Sequence, residues 1–140
     1  MTVIRLREGI VNKLLFAAVL TTLTVPAALA GMYDQPYAIV ESGDASELRK
    51  EARVAIGKVD GKSTHNPRKS DPIQPGKHTI TLNFESARGN FRPASLDVEV
   101  DLRACTRYRI VANYESKVGG DWKPKIYSES IGECVKKFKK

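Results

Sequence analysis

The chain has 140 residues, a formal net charge of +7, two cysteines and two histidines. Without its first thirty residues it is long enough for one domain with a real core, and this length excludes a second domain. We find no internal repeat and no low-complexity segment.

The first thirty residues have the three parts of a secretory signal peptide. A basic start precedes the apolar run Leu14–Leu20, and small residues then precede Gly31. The pattern predicts a signal-peptide helix over residues 1–30, cleaved between Ala30 and Gly31, and Sec-dependent export to the periplasm or beyond. A retained membrane anchor is the alternative, since the apolar stretch is near the lower limit for a span. The residues that carry the pattern are Arg5, Arg7, Lys13, Ala28 and Ala30.

Cleavage leaves Gly31–Lys140, which we divide into a domain over residues 31–135 and a lysine-rich tail over residues 136–140. The tail carries most of the excess positive charge of this part. Such a tail suits an anionic envelope component, such as lipid headgroups or lipopolysaccharide phosphates, or an acidic partner protein. A solvated, frayed terminus is the alternative. The tail lysines are Lys136, Lys137, Lys139 and Lys140.

The first half of the domain alternates apolar and polar residues, as strands do. Tyr37–Glu41 is a short strand candidate. Glu51–Val59 is a second, with apolar residues on one face. Residues 46–53 are also rich enough in Glu, Leu, Arg and Lys to begin as a short helical turn.

Turn residues then separate two further segments. Asp60-Gly61 predicts a turn, and Lys62–Pro72 is polar with two prolines, which predicts a long loop. Pro75-Gly76 predicts a turn of type II before a half-buried strand over Lys77–Glu85. Ala87–Pro93 is a connection.

Ser95–Tyr114 has the most regular alternation in the chain. We expect it to fold as a hairpin with Cys105 at its apex, because apolar residues then face apolar ones and acidic residues face arginines. In this register Leu102 lies opposite Tyr108. On the other face Asp101 lies opposite Arg109.

The last strand is predicted over Trp122–Ser128, after a flexible link at Val118–Asp121. Pro124 cannot donate to a ladder, so this strand lies at an edge or carries a bulge. We therefore predict an all-β fold of about 6–7 short strands. The architecture is a small antiparallel β-sandwich of immunoglobulin-like or transthyretin-like type.

Two cysteines in an exported chain predict a Cys105–Cys134 disulfide. The alternative, a pair of free or metal-bound thiols, lacks the ligand spacing of a zinc site. We therefore expect no metal and no other cofactor. After cleavage we also expect no stable membrane span.

The predicted binding surface combines the last strand with the basic tail. It comprises Trp122, Lys123, Lys125 and Tyr127, together with Lys136, Lys137, Lys139 and Lys140. An exposed Trp122 beside Tyr127 would also suit a glycan-binding module, whereas a large aromatic more often closes a core.

A small hydrolase or metal protein would have to be built on His65, Asp71 and His78. His78 falls on the apolar side of its strand, where a core or rim position with one satisfied nitrogen is the usual role. The chain has no nucleophile elbow and no aromatic-interleaved basic strand for nucleic acid. We therefore expect no enzyme and no nucleic-acid partner, but a periplasmic binding or accessory module of the cell envelope.

Several short segments resemble known exported domains. Val59–Gly61 followed by Pro75–Ile80 resembles the PEGA-like pattern, in which one strand ends in VDG and a later strand begins with PG-x-H. Ala104–Tyr108, Asp121–Pro124 and Ile131–Cys134 are similar to a group of exported proteobacterial proteins. The resemblance implies a small extracytoplasmic β-domain with the Cys105–Cys134 pair and an accessory role.

Overall fold

The computed structural model describes residues 31–85 and 90–139. These residues form eight strands and one short helix, which confirms the all-β prediction. The predicted signal peptide lies outside the described residues. The strands are β1 (Ala38–Ser42), β2 (Glu51–Val59), β3 (Lys62–Ser63), β4 (Gly76–Phe84), β5 (Asn90–Arg92), β6 (Ser95–Leu102), β7 (Thr106–Tyr114) and β8 (Gly119–Ser130), and the helix is α1 (Gly132–Phe138).

The strands belong to one curved, mixed sheet and not to two separate antiparallel sheets. Its order is β5-β8-β7-β2-β4-β6, with β1 beside β7 and β3 beside β2. Strand β2 produces the curvature, because Glu51–Arg53 pair with β7 whereas Val54–Val59 pair with β4. A bulge between Ile56 and Lys58 bends the strand further. The architecture is therefore more like a barrel than the sandwich that we predicted.

The predicted hairpin between β6 and β7 is wrong. Strand β6 pairs along its whole length with β4, and β7 pairs with β1, β2 and β8. Between them Arg103–Cys105 turns the chain, with Cys105 at a φ of 53°. Leu102 and Tyr108 both reach the core, but they do so from strands that are not neighbours. Alternation reports which face is buried and not which strand lies alongside.

The core contains the apolar faces that the alternation predicted. The central inward residues of β2, β4 and β7 are completely buried. Most side chains of β6 on the same side are only half buried, because that strand ends the sheet, whereas Leu102 at its end is buried. The core residues with no exposed surface are Ala38, Val40, Val54, Ile56, Ile80, Leu82, Ile110 and Ala112.

The segment predicted as a long loop is attached to the sheet along most of its length. Lys62–Ser63 form β3, and the Ile56 N–H donates to the Pro67 carbonyl oxygen at 2.8 Å. The Ser42 N–H donates to the Arg68 carbonyl oxygen at 2.9 Å, and the Ser70 N–H donates to the Val40 carbonyl oxygen at 2.8 Å. The segment thus fills the space between β1 and β2. Its turn-rich composition predicted a loop and did not reveal these hydrogen bonds to the sheet.

The C-terminal part is more regular than expected. The predicted flexible link at Val118–Asp121 lies largely within β8, where β5 pairs with Gly119–Asp121 in parallel. From Trp122 onward β8 has only β7 as a strand neighbour among the described residues, which confirms the predicted edge strand around Pro124. The expected frayed tail is instead partly helical, since α1 continues to Phe138. Within the described ranges no helix is both long and apolar enough to cross a membrane.

Candidate functional site

The predicted disulfide is present. Cys105 and Cys134 are bonded, with their Cα atoms 5.2 Å apart, and both residues are buried. They pack with Tyr37, Ile39 and Ile131 in a second apolar cluster, separate from the main core. The bond and this cluster fasten α1 to the start of β1 and to the turn before β7.

Helix α1 carries lysines in two different settings. Lys137 Nζ donates to the Tyr33 carbonyl oxygen at 2.7 Å and lies 3.4 Å from Asp34 Oδ1. It therefore holds the N-terminal segment against the helix. Lys136 and Lys139 are exposed and have no ion-pair partner within the described part of the chain. Lys140 lies outside the described residues.

Trp122 is not part of the surface, so its place in the predicted binding surface is wrong. Its residue is only 4% exposed, and the indole N–H donates to the Pro93 carbonyl oxygen at 2.7 Å. The ring packs beside Phe84 at 5.4 Å between centroids. A buried indole cannot stack on a sugar ring, and this removes the glycan-binding alternative based on Trp122.

Lys125 and Tyr127 lie on the outer face of β8, where they contact a buried carboxylate. The Glu51 side chain has no exposed surface. It accepts hydrogen bonds from the Tyr127 hydroxyl and from Arg49 Nε at 2.9 Å, and Lys125 Nζ lies 3.1 Å away. Burial alone would raise the pKa of Glu51, but the donors from Tyr127, Arg49 and Lys125 outweigh it and lower the pKa.

The strand and helix lysines do not form one continuous patch. Lys123 is exposed near the beginning of β8, whereas α1 follows the end of that strand at Ser130. The seven residues of extended strand from Lys123 to Ser130 place the Cα atoms of these two residues about 23 Å apart. The predicted surface therefore consists of two regions. Lys123 in the first region and Lys136 and Lys139 in the second are exposed, and none of the three has an ion-pair partner among the described residues.

Both histidines line one cavity of about 370 Å³ between the β2–β3 turn and the segment before β4. His65 Nδ1 lies 2.9 Å from Asp71 Oδ2 in an exposed pair. His78 Nδ1 contacts Asp60 Oδ2 at 2.5 Å, and its Nε2 contacts the Gln74 carbonyl oxygen at 2.6 Å. The fold thus brings His65, Asp71 and His78 to the same cavity, but each histidine has a different carboxylate as its partner.

The chemistry available in this cavity is limited by those contacts. Both ring nitrogens of His78 have an oxygen partner, whereas we expected only one of them to be satisfied. The bonds from His78 and from the Thr79 N–H lower the pKa of Asp60. Among the described residues, no three His, Cys, Asp or Glu side chains are grouped so that they could hold a metal ion. His78 therefore ties a turn to a strand.

The arginines of β7 pair with carboxylates that sequence reasoning did not assign to them. Arg109 contacts Glu41 on β1 and Glu129 on β8, at 3.5 and 2.8 Å, and not Asp101 as predicted. Arg107 contacts the same two glutamates at 3.1 and 3.3 Å. Both glutamates lie on strands that pair with β7, and the alternation in the sequence does not reveal that pairing.

The fold and its features define a small, disulfide-closed all-β domain with a basic C-terminal helix. No family model, no curated protein and no solved structure matches the chain. The PEGA-like resemblance therefore stays a prediction, and the function has to be argued from geometry.

Proposed function

We propose that this protein is an exported, non-catalytic module of the bacterial cell envelope that binds an anionic envelope component through α1. The observation that carries the proposal is the setting of the helix lysines. Lys136 projects from α1, and Lys139 directly follows the last residue of that helix. Cys134 and Lys137 fix the helix to the body. A fixed helix presents its charges without the ordering cost of a loose tail.

Export is supported by the N-terminal pattern and by the buried disulfide. Disulfides persist in the periplasm and outside the cell, where thiol reductants are scarce. A phosphate-bearing surface suits exposed lysines, because lysine binds phosphate as a compact point charge.

The proposal is tested by binding to vesicles of phosphatidylethanolamine and phosphatidylglycerol, compared with vesicles of phosphatidylcholine. We expect the oxidised protein to bind only the anionic vesicles and to dissociate at high salt. Each lysine near an anionic surface contributes about 1 kcal/mol, so the Lys136→Glu/Lys139→Glu variant should bind at least roughly 25-fold more weakly.

The control variant is Lys58→Glu/Lys62→Glu, which makes the same charge change on two exposed lysines of the β2–β3 hairpin. It should bind nearly as well as the unmodified protein. Equal loss in both variants would mean that only net charge matters and would contradict a site on α1. A parallel series with lipopolysaccharide distinguishes a lipid headgroup from a lipopolysaccharide phosphate as the natural ligand.

A further inference from the structure

Among the described residues, β6 and most of β8 each have one edge that pairs with no other strand. Strand β6 pairs with β4 on one side only, over Ser95–Leu102. Strand β8 pairs with β7 on one side, and β5 covers only Gly119–Asp121 on the other. Among the described residues, β6 and the rest of β8 therefore present unpaired backbone groups, which can accept another strand.

The two edges carry opposite charge. On β6 the exposed outward residues are Asp97, Glu99 and Asp101, and the half-buried inward ones are Leu96, Val98 and Val100. On β8 the exposed lysines Lys123 and Lys125 face outward, and Ile126 remains 37% exposed on the other side. Each edge thus has the alternation of a strand that is partly uncovered on its apolar side.

We propose that β8 of one copy pairs with β6 of a second copy. An antiparallel register places Lys123 opposite Asp101, and it brings Lys125, whose Nζ contacts Glu51 within its own copy, opposite Glu99. The same register sets Ile126 against Val98, so charge and apolar surface match together. Pairing of β6 with β6 would oppose carboxylates. Pairing of β8 with β8 would need Glu129 opposite Lys123, and Glu129 is already held by Arg107 and Arg109, so the unlike edges match best.

This contact is heterologous, because the two copies use different edges. Each added copy leaves one free β6 and one free β8, so the assembly grows into a row or closes into a ring. Pro124 lacks an N–H and reduces the number of backbone bonds, which favours a reversible association. The inference does not depend on the proposed binding of anions by α1.

Sedimentation velocity of the oxidised protein over a range of concentrations tests the proposal. We expect species of two or more copies that grow with concentration and diminish at high salt. Asp101→Lys and Lys123→Glu should each weaken association tenfold or more. An equal mixture of these two variants should associate again, because the introduced lysine of one variant would face the introduced glutamate of the other.

The matched controls are Glu133→Lys on α1 and Lys58→Glu on β2, both exposed and away from the two edges. They should associate like the unmodified protein, and tryptophan fluorescence verifies that each variant is folded. Single copies at every concentration in low salt would overturn the proposal. Association that the edge variants and the controls change equally, or that mixing does not restore, would also overturn it.

Discussion

Glu51 is the residue whose setting has the clearest energetic consequence. Its side chain is completely buried, and it is satisfied by one hydroxyl and two cationic donors from different parts of the chain. A buried carboxylate is tolerated only with such partners, because an unpaired one would carry a large desolvation cost. The cluster therefore connects the beginning of β2 to the outer face of β8.

Replacing Glu51 with Gln should destabilise the fold by about 1–3 kcal/mol, because the charge-assisted bonds are lost while the donors remain. The measurement is the free energy of unfolding from urea titration. Glu47→Gln is the matched control, since the Glu47 side chain is 85% exposed. We expect that control to stay within about 0.5 kcal/mol of the unmodified protein. An equal effect of the two substitutions would contradict the role assigned to Glu51.

The lowered pKa values of Glu51 and Asp60 predict a dependence of stability on acid. A carboxyl whose pKa is lower in the folded state binds fewer protons there than in the unfolded chain. Its contribution is present above the unfolded pKa, about 4.3 for Glu, and is lost as pH falls through the folded value. The urea midpoint should drop as pH falls below about 4.5, and the drop should be smaller for Glu51→Gln. A larger drop in that variant would refute this assignment.

Position 43 requires glycine for a reason that the turn sequence Ser42-Gly43-Asp44 does not reveal. A Cβ at this position would lie 2.6 Å from Cγ1 of the buried Val111. Since Val111 is held in β7 between neighbouring strands, it has little room to move. Gly43→Ala should therefore cost about 1–3 kcal/mol of stability. Gly132→Ala is the control, because nothing lies near a Cβ there. If both substitutions leave the thermal midpoint unchanged, the close approach of position 43 to Val111 does not affect stability, and this explanation of Gly43 is wrong.

At the scale of elements, the disulfide links a turn and the helix that carries the lysines. Without it, α1 would depend on a small apolar cluster and on Lys137 for its position. Cys105→Ser/Cys134→Ser should lose about 2–5 kcal/mol of stability. The variant should also lose much of its binding to anionic vesicles, since α1 is then free to fray. Reduction of the unmodified protein should reproduce both losses, and unchanged binding would show that the helix does not need to be fixed.

The elements also show where sequence reasoning succeeded and where it could not. Strand β2 was predicted with its observed bounds, and the buried faces of β4 and β7 followed from alternation, which depends only on local geometry. The partner of β6 could not be derived in this way. Both β7 and β4 have an apolar face that could lie beside β6. Which of the two strands pairs with β6 depends on how the whole sheet closes, and the sequence pattern does not show this.

The same distinction applies to the candidate sites. The Cys105–Cys134 pair required only a count of cysteines and a compartment. Burial of Trp122 agrees with the general tendency of large aromatics, but its hydrogen bond to the Pro93 carbonyl oxygen could only be known from the fold. The cluster around Glu51 joins residues from two distant segments, and no spacing in the sequence reveals it. The cavity that holds both histidines arises because the segment before β4 folds back over β1.

At the scale of the whole molecule, residues 31–85 and 90–139 form one sheet and one helix, and the helix and residues 31–36 lie at the same end, joined by Lys137 and Tyr33. The single tryptophan lies in the core near the beginning of β8, away from α1. Its fluorescence should shift to longer wavelength on unfolding and should not change on binding to anionic vesicles. A shift on vesicle binding would mean that the region around Trp122, and not α1, contacts the ligand.

Export of a disulfide-closed domain that begins at Gly31 is the claim on which the proposed function depends most directly. The intact mass of the protein isolated from the envelope fraction, without reductant, tests both parts of this claim together. We predict the mass of residues 31–140 less two hydrogens. A mass that includes residues 1–30, or one that shows two free thiols, would contradict it.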